Sequence, residues 1–355
     1  MMKVLIAMSG GVDSSVAAKL LCDEGYECIG CTMKLYDNCD AGLPRGRTCC
    51  SLDDVEDARS VAFSLGMRYY VFNFKDDFHE KVIKKFASGY LRGQTPNPCI
   101  DCNRYMKFDK LFERAKLLGC DKIATGHYAR IEFDGRKYRL KKALDKSKDQ
   151  SYVLYMLTQE QLAHALFPLG SLHKTDTRAI ADTAGLSSAH KPDSQDICFV
   201  PDGDYAAAIE RLAGIKAPCG NFIDASGKVI GIHRGITHYT VGQHRGLGLS
   251  LPERRYVCSI DAENSTVTLG GSDELYSSTA EVRGFNWISG VTPAEPIRCT
   301  AKIRYRQPEQ PATAIAHKDG SITIQFDSPQ RAVTPGQAAV LYDGDTVLGG
   351  GEIVR

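Results

Sequence analysis

Hydrophobic positions in the first 200 residues fall into two alternating patterns. Short apolar runs predict buried strands at Lys3–Met8, Cys28–Leu35, Met67–Phe72 and Lys122–Thr125. Between these runs, apolar residues three and four apart predict helices at Ser14–Glu24, Asp53–Leu65, Phe78–Leu91 and Phe108–Leu118. Strands that alternate with helices form parallel sheets through right-handed crossovers. The pattern therefore predicts an α/β domain with a Rossmann-like, doubly wound parallel sheet.

The pattern changes near Pro201, after which turn-forming residues become frequent. One helix is predicted at Asp204–Ala213, and glycine-rich segments such as Gly242–Gly248 follow it. Short alternating strands are then predicted at Arg298–Tyr305, Ala312–His317, Ser321–Phe326, Ala338–Tyr342 and Glu352–Val354. We therefore predict three domains: an α/β catalytic domain at 1–200, a small central domain at 201–275 and a C-terminal β-barrel at 276–355.

Composition limits the class of protein only loosely. The chain has 44 basic and 43 acidic residues, so any contact with nucleic acid must come from local patches. Met1-Met2-Lys3 leads directly into the first predicted strand, and no apolar segment is long enough to span a membrane. Thirteen scattered cysteines without an export signal suggest reduced thiols, metal ligands or catalysis. We therefore expect a cytoplasmic enzyme that does not associate with membranes.

The segment Ser9-Gly10-Gly11-Val12-Asp13-Ser14 lies between the first predicted strand and the first predicted helix. Glycines allow a sharp turn, and the N–H groups at the start of a helix bind phosphate. The segment matches neither the Walker A motif nor the dinucleotide-binding glycine pattern. It resembles the PP-loop of ATP pyrophosphatases, which cleave ATP between its α and β phosphates. The alternative is an ordinary turn with a Ser or Asp N-cap.

Two further segments carry cysteines with chemical potential. The prolines of Thr95–Arg104 argue against a helix through them, so we expect Cys99 and Cys102 on a loop. Such a pair can bind metal, form a disulfide or hold a reactive thiolate, which nearby basic residues would favour: Arg92, Arg104 and Lys107. A structural zinc site needs two more ligands, and the adjacent pair Cys49–Cys50 fits a tetrahedron poorly. Cys198, taken alone, is typical of a buried thiol.

Together these motifs resemble the tRNA-specific 2-thiouridylase family, which thiolates the wobble uridine of tRNAs for Lys, Glu and Gln. The matching segments are Ser9–Ser14, Pro96–Asn103, Ala124–Tyr128, Lys148–Tyr152, Leu166–Gly170, Lys191–Phe199, Gly246–Gly248, Arg304–Arg306 and Pro335–Gln337. The resemblance extends almost from end to end. It implies a PP-loop fold and a reaction in which ATP adenylates the uracil before sulfur from a cysteine persulfide replaces the oxygen.

The resemblance also implies roles for individual residues. ATP-binding positions would be Ala7, Met8, Ser9, Gly10, Gly11, Val12, Asp13, Ser14, Met33 and Gly126. Cys102 would be the nucleophile and Cys198 the persulfide carrier. Cys102 would either release the sulfur by forming a disulfide with Cys198 or attack in its own right. The target base would face Asn97, Pro98 and Cys99, and further tRNA contacts would come from His127, Lys148, Asp149, Gln150, Arg304, Tyr305 and Gln337. The alternatives are a packed loop histidine at His127 and a solvated strand position at Arg304.

The implied substrates and partners are ATP with Mg²⁺, tRNA and a persulfide donor such as a cysteine desulfurase or a relay protein. Asp13 is a candidate Mg²⁺ contact, with helix capping as its simpler role. Residues 136–148 carry seven basic side chains, which suit either phosphate contact or a solvated hairpin. We expect a monomer.

The chain departs from the family pattern at Cys99, where many members carry Asp, and at Gln195-Asp196, where Thr-Gly is common. Cys99, Cys102 and Cys198 could instead hold an iron–sulfur cluster that carries sulfide. The roles of Cys39, Cys49 and Cys50 stay open. Rival functions are another PP-loop enzyme, such as argininosuccinate synthetase or a 4-thiouridine synthetase, and a non-catalytic adenine-nucleotide sensor.

Overall fold

The computed structural model describes residues 1–36, 52–191, 197–200 and 203–355. The predictions for Cys39, Cys49, Cys50, Gln195 and Asp196 lie outside these described residues. No helix within the described ranges has the length and apolar character that crossing a bilayer requires.

Strands and helices are numbered along the described part of the chain. The strands are β1 Lys3–Ala7, β2 Glu27–Lys34, β3 Arg68–Asn73, β4 Lys122–Ala124, β5 Ala129–Phe133, β6 Tyr138–Lys142, β7 Ala165–Leu166, β8 Gly220–Ile223, β9 Val229–His233, β10 Tyr256–Asp261, β11 Thr266–Gly270, β12 Tyr276–Trp287, β13 Ile297–Lys302, β14 Gln310–Ala316, β15 Ile322–Arg331, β16 Ala338–Asp343 and β17 Thr346–Ile353. The α-helices are α1 Val12–Asp23, α2 Leu52–Ser64, α3 Lys75–Phe78, α4 Lys84–Leu91, α5 Pro98–Asp101, α6 Leu111–Leu117, α7 Gln159–His164, α8 Lys174–Thr183 and α9 Tyr205–Ala213.

The first domain contains the predicted parallel sheet. Its five strands lie in the order β3-β2-β1-β4-β7, and every neighbouring pair is parallel. Strand β1 is covered on both faces: Leu5 packs into one core cluster, while Val4 and Ile6 pack into another. The chain order reverses direction between β1 and β4, which is where ligands bind in open α/β sheets. The predicted α/β class is confirmed, and this crevice lies beside the predicted phosphate loop.

The cysteine segment is helical, so the prediction of a loop at Cys99 and Cys102 is wrong. Cys99 lies in α5, and Cys102 begins a π-helix at Cys102–Lys110 that continues into α6. Pro98 occupies the first helical position, where its missing N–H costs no hydrogen bond. The Asn97 side chain caps the helix by accepting from the Cys99 N–H at 3.1 Å. The motif therefore begins a helix. A proline in the interior of a helix would break it, but Pro98 lies at the first position.

The C-terminal strands form the predicted barrel. Six strands lie in the order β12-β15-β14-β13-β16-β17, and pairing between β12 and β17 closes the ring. The hairpin β5–β6 of the first domain extends this sheet by pairing with β17. A separate four-stranded sheet, in the order β10-β11-β8-β9, lies between the first domain and the barrel in sequence.

Basic residues of the β5–β6 hairpin bind acidic neighbours. Lys141 pairs with Glu132 at 2.9 Å, and Lys142 pairs with Glu309 of the barrel at 2.7 Å. Lys137 donates to the carbonyl oxygen of Ser289 at 2.7 Å. Lys137 and Lys142 thus attach the hairpin to the barrel domain, whereas the Lys141–Glu132 pair lies within the hairpin itself.

Candidate active site

The phosphate loop joins β1 to α1 and leaves the start of α1 open to a ligand. Gly11 is the N-cap of α1, and no side chain caps the helix within the described residues. The hydroxyls of Ser14 and Ser15 both donate to the Gly11 carbonyl, at 3.1 and 3.0 Å. The Ser9 N–H donates to the Ser14 hydroxyl at 3.1 Å. The alternative of a Ser or Asp cap is therefore wrong, and the first-turn N–H groups point to an anion site.

Two glycines of this region tolerate no larger side chain. Gly10 has a φ of +75°, and a Cβ there would lie 2.4 Å from the Asp54 carbonyl oxygen at the start of α2. A Cβ on Gly126, after β4, would lie 2.8 Å from the Ser14 nitrogen. The two strand ends that flank the sheet's switch point thus pack directly against each other, with only backbone between them.

Asp13 is engaged by residues distant in sequence. Its Oδ1 accepts from Lys174 Nζ at 2.6 Å and from the Tyr128 hydroxyl at 2.9 Å. These bonds hold α1 against α8 and the segment after β4. The observed role of Asp13 is to fix the phosphate loop, rather than to cap α1. Lys174 was missed by sequence reasoning because its pairing joins positions 161 residues apart.

A cavity of about 350 Å³ joins the phosphate loop to the cysteines. It is called the thiol cavity here, and its lining comprises Ala7, Met8, Ser9, Asp13, Ser14, Thr32, Met33, Leu35, Phe78, Pro98, Cys99, Cys102, Asn103, Lys107, Thr125, Gly126, His127, Gln150, Val153, Ile197, Cys198 and Phe199. Gly10, Gly11 and Val12 of the predicted ATP set are outside this lining, as are Asn97, Lys148, Asp149, Arg304, Tyr305 and Gln337 of the predicted tRNA set. The structure thus brings both predicted catalytic cysteines to the predicted nucleotide site.

Three cysteines, Cys99, Cys102 and Cys198, line the cavity. Cys99 is exposed, whereas Cys102 and Cys198 are half-buried. Tyr36 fixes the segment of Cys198 by donating its hydroxyl to the Cys198 carbonyl at 2.8 Å. The next residue, Phe199, is fully buried in the core, so it also holds the backbone of the Cys198 segment in place. No three His, Cys, Asp or Glu side chains within the described ranges are arranged to hold a metal ion.

His127 is buried in the cavity wall, where it packs against Phe108 and Phe167. Its Nδ1 lies 2.7 Å from the Thr125 hydroxyl, and its Nε2 lies 3.4 Å from Lys107 Nζ. Burial and the Lys107 ammonium hold the pKa of His127 well below its usual range. The imidazole is therefore neutral, and Lys107 is the cation that lines the cavity beside the cysteines.

Asn103 places an unpaired acceptor in the same wall. Its side chain is 2% exposed, and its amide nitrogen donates to the Val153 carbonyl at 3.1 Å. The Oδ1 atom has no hydrogen-bond partner within the described structure. Buried acceptors without partners are rare, and a substrate donor would satisfy this one. In the sequence, Asn103 is noted only as the last residue of the matching segment Pro96–Asn103.

Several residues predicted to contact tRNA also organise the loops around the cavity. Asp149 accepts from the Ala143 N–H at 3.0 Å and from the Ser151 hydroxyl at 2.7 Å. Gln150 accepts from the Tyr128 N–H at 3.0 Å. These contacts hold the Lys148–Tyr152 segment against β6 and the residues after β4.

The predicted barrel contacts lie where the barrel meets the other domains. Arg304 Nη2 donates to the Val241 carbonyl at 3.1 Å and to the Thr334 hydroxyl at 2.7 Å, so Arg304 is not a solvated strand position. Gln337 donates to the Thr95 carbonyl beside the cysteine helix. Burial, together with the charges of Asp149 and Cys99, raises the pKa of Tyr305.

The fold and the cavity define a nucleotide-binding α/β protein with a phosphate loop and thiols in one site, joined to two β domains. Family models match three segments: a tRNA methyl transferase HUP domain at 2–202, a tRNA methyl transferase PRC-barrel domain at 212–271 and an aminomethyltransferase beta-barrel domain at 277–353. The tRNA-specific 2-thiouridylase MnmA of Acetivibrio thermocellus is 52% identical over 99% of both chains. The corresponding protein of Clostridioides difficile is 48% identical over 99% of this chain and 98% of its own. The chain belongs to the tRNA-specific 2-thiouridylase family.

Among solved structures, a 4-thiouridine synthetase–RNA complex with bound ATP is 16% identical over 60% of this chain and 50% of that chain, with a TM-score of 0.36. That likeness is too low to support an argument about the site.

Proposed function

We propose that this chain is an ATP-dependent sulfurtransferase that converts the wobble uridine of tRNAs for Lys, Glu and Gln to 2-thiouridine. One observation carries the proposal: Ser9, Ser14, Cys102 and Cys198 line a single cavity. Activation by ATP and transfer of sulfur can therefore occur on one base without its release. The names of the family models mention methyl transfer, but cysteine side chains beside a phosphate loop suit sulfur transfer.

The first step activates the base. The C2 oxygen of the uracil attacks the α-phosphate of ATP, pyrophosphate leaves and the N3 proton is lost. The open start of α1 and the serine hydroxyls suit the departing pyrophosphate. Mg²⁺ bound to the nucleotide would offset phosphate charge. Because Asp13 Oδ1 is already bonded to Lys174 and Tyr128, we do not assign Asp13 as a Mg²⁺ ligand.

The second step exchanges oxygen for sulfur. The terminal sulfur of a Cys198 persulfide attacks C2 of the adenylated base, and AMP leaves with the original oxygen. The Cys102 thiolate attacks Cys198 Sγ, so the S–S bond of the persulfide breaks and a Cys102–Cys198 disulfide forms. The transferred sulfur gains the two electrons that the two cysteines lose, and N3 regains a proton. A dithiol reductant then restores both thiols.

The cluster alternative has a weaker basis in this chain. Cys99 lies in the same cavity as the other two cysteines, but the three thiols are not arranged as a metal-binding group among the described residues. We therefore derive no step through an iron–sulfur cluster. A persulfide donor protein, a monomeric state and a cytoplasmic location stay predictions.

The proposal is tested by incubating unmodified tRNA with ATP, a persulfide donor and a dithiol, followed by nucleoside mass spectrometry. We expect 2-thiouridine, chromatographically distinct from 4-thiouridine, with one AMP and one pyrophosphate for each product. Cys102→Ser should abolish the product and leave ATP binding unchanged, because the residue acts after nucleotide binding. Cys219→Ser is the matched control, since Cys219 is an exposed free thiol outside the cavity.

Each rival gives a different result in this assay. Formation of 4-thiouridine would assign the chain to another thiolating reaction. ATP binding without release of pyrophosphate would indicate a nucleotide sensor. Product formation by Cys102→Ser at the wild-type rate would contradict the proposed sulfur chemistry.

A further inference from the structure

A second cleft of about 250 Å³ lies between the cysteine helix and the barrel. It is called the arginine cleft here, and its lining comprises Lys85, Gly89, Arg92, Gln94, Pro96, Asn97, Ile100, Asp101, Arg104, Tyr155, Arg283, Gly284, Gly336, Ala338, Glu352 and Val354. None of these residues lines the thiol cavity. Sequence reasoning assigned the cleft no role, although it expected Arg92 and Arg104 to act on the thiols.

The charges of the cleft favour an anion. Four cationic side chains face two carboxylates, and one of these carboxylates, Asp101, is already paired with Lys85 at 2.8 Å. Arg92 donates to the Gln94 side chain at 3.1 Å. Arg283 is exposed, and its side chain makes no hydrogen bond or ion pair with the residues that the structure describes. Guanidinium groups bind phosphate oxygens through paired N–H donors, which makes Arg283 and Arg104 suitable for a phosphodiester.

The cleft and the thiol cavity share one structural element. Asn97 and Arg104 line the cleft, whereas Pro98, Cys99 and Cys102 of the same segment line the cavity. The barrel supplies the opposite wall through Arg283 on β12 and Glu352 on β17, which are neighbours in the β12–β17 ladder. A nucleic-acid backbone held in the cleft would thus lie across the helix from the site where its base reacts.

We propose that the arginine cleft binds a backbone phosphate of the anticodon loop, next to the uridine whose base enters the thiol cavity. The inference rests on the proposed function. Phosphate contacts position a nucleic acid without reading its sequence. This contact would fix the path of the loop while the target base leaves its stack, which costs unstacking energy.

The first test measures tRNA binding without ATP. Fluorescence anisotropy with labelled, unmodified tRNA is recorded at about 50 to 300 mM KCl for the wild type, Arg283→Gln, Arg104→Gln and Lys318→Gln. Removing one phosphate contact should reduce the slope of log affinity against log salt by about 0.7 to 0.9. Lys318 is the matched control, because it is an exposed cation at the β14–β15 turn, outside the cleft. Thermal unfolding checks that each variant is folded.

The second test locates the phosphate. Anticodon stem-loop RNAs, each with one neutral methylphosphonate linkage, are titrated with the wild type and with Arg283→Gln. At one loop position, the neutral linkage should weaken wild-type binding about fivefold and Arg283→Gln binding by less than about twofold. Equal salt slopes for the wild type and both arginine variants would overturn the inference. It would also be overturned if every linkage weakened both proteins equally.

The nucleoside assay separates this inference from the proposed function. A wild-type protein that shows Arg283-dependent binding but forms no 2-thiouridine would contradict the proposed function and retain the phosphate site. A wild-type protein that forms 2-thiouridine, with no arginine-dependent binding, would contradict the phosphate site alone.

Discussion

The two sides of segment 97–104 differ in the kind of group that they offer. The thiol cavity has backbone N–H groups, serine hydroxyls, thiols and one lysine. The arginine cleft has three guanidinium groups, one lysine and two carboxylates, of which Asp101 is paired with Lys85, and no thiol is among its lining residues. Groups of the first kind can react or stabilise a reacting phosphate, whereas groups of the second kind attract and position an anion. We therefore assign adenylation and sulfur transfer to the thiol cavity on one side of the helix, and binding of the RNA backbone to the arginine cleft on the other.

The largest expected effect is the loss of thiolation in a variant of the thiol cavity. Cys198→Ser removes the proposed persulfide carrier, so thiolation should fall at least about a thousandfold. Adenylation precedes sulfur transfer, so a single turnover with tRNA should still release pyrophosphate. Cys99→Asp should retain thiolation within about tenfold, because we assign Cys99 no bond-making step. Nucleoside mass spectrometry and pyrophosphate detection measure both outcomes, and thiouridine formed by Cys198→Ser would contradict the assignment.

The next effect concerns the shape of the phosphate loop. Gly10→Ala forces a side chain onto a residue with a φ of +75° and into contact with Asp54, so it should destabilise the fold by about 3 kcal/mol. Gly11→Ala is the matched control. Among the described residues, its Cβ would meet only the Ser9 hydroxyl, at 3.5 Å, so we expect a cost below about 1 kcal/mol. Urea unfolding measures both, and equal costs would show that the loop is not constrained at Gly10.

His127 gives the cavity a pH-dependent contribution to stability. Because burial and Lys107 hold its pKa below the usual value, the unfolded chain binds a proton at His127 before the folded protein does. This contribution is complete above about pH 6.5 and decreases as the pH falls below that value. The stability difference between the wild type and His127→Gln should therefore shrink on acidification, by up to about 1.4 kcal/mol per pH unit. Urea unfolding at several pH values measures it, and a constant difference would contradict a neutral, buried His127.

The smallest effect concerns segment 97–104, which lines both the thiol cavity and the arginine cleft. Asn97→Ala removes the cap of the cysteine helix and should cost about 1 kcal/mol. Asn97→Asp keeps a capping oxygen and should cost less than half of that. If Asn97→Asp is as stable as the wild type and loses thiolation, the side chain also contacts substrate. A cost for Asn97→Asp equal to that of Asn97→Ala would contradict the capping role.

The phosphate loop could be predicted because its signal is contiguous. A strand, the Ser9–Ser14 motif and a helix follow one another, and the parallel sheet fixes where such a turn must lie. The segment of Cys99 and Cys102 was predicted incorrectly because proline acts in opposite ways at different positions. Pro98 lies at the first helical position, where proline favours a helix. A proline further along the helix would break it.

Contacts between distant residues gave no signal in the sequence. The Lys174–Asp13 bond and the arginine cleft depend on tertiary packing, and the charge composition of the sequence predicts neither of them. Asp149 and Gln150 were expected at an RNA surface, but the structure also shows them bonded within their own loops. Polar residues of a matched motif can thus support the site as well as contact a substrate.

The central claim is that one cavity activates the C2 oxygen of a tRNA uridine with ATP and replaces it with sulfur. It is tested most directly by following that oxygen, using tRNA in which the target uridine carries a heavy oxygen isotope at C2. After a single turnover with a persulfide donor, we predict that the AMP contains the heavy oxygen and the tRNA contains 2-thiouridine. AMP with only ordinary oxygen, formed alongside 2-thiouridine, would contradict adenylation of the base.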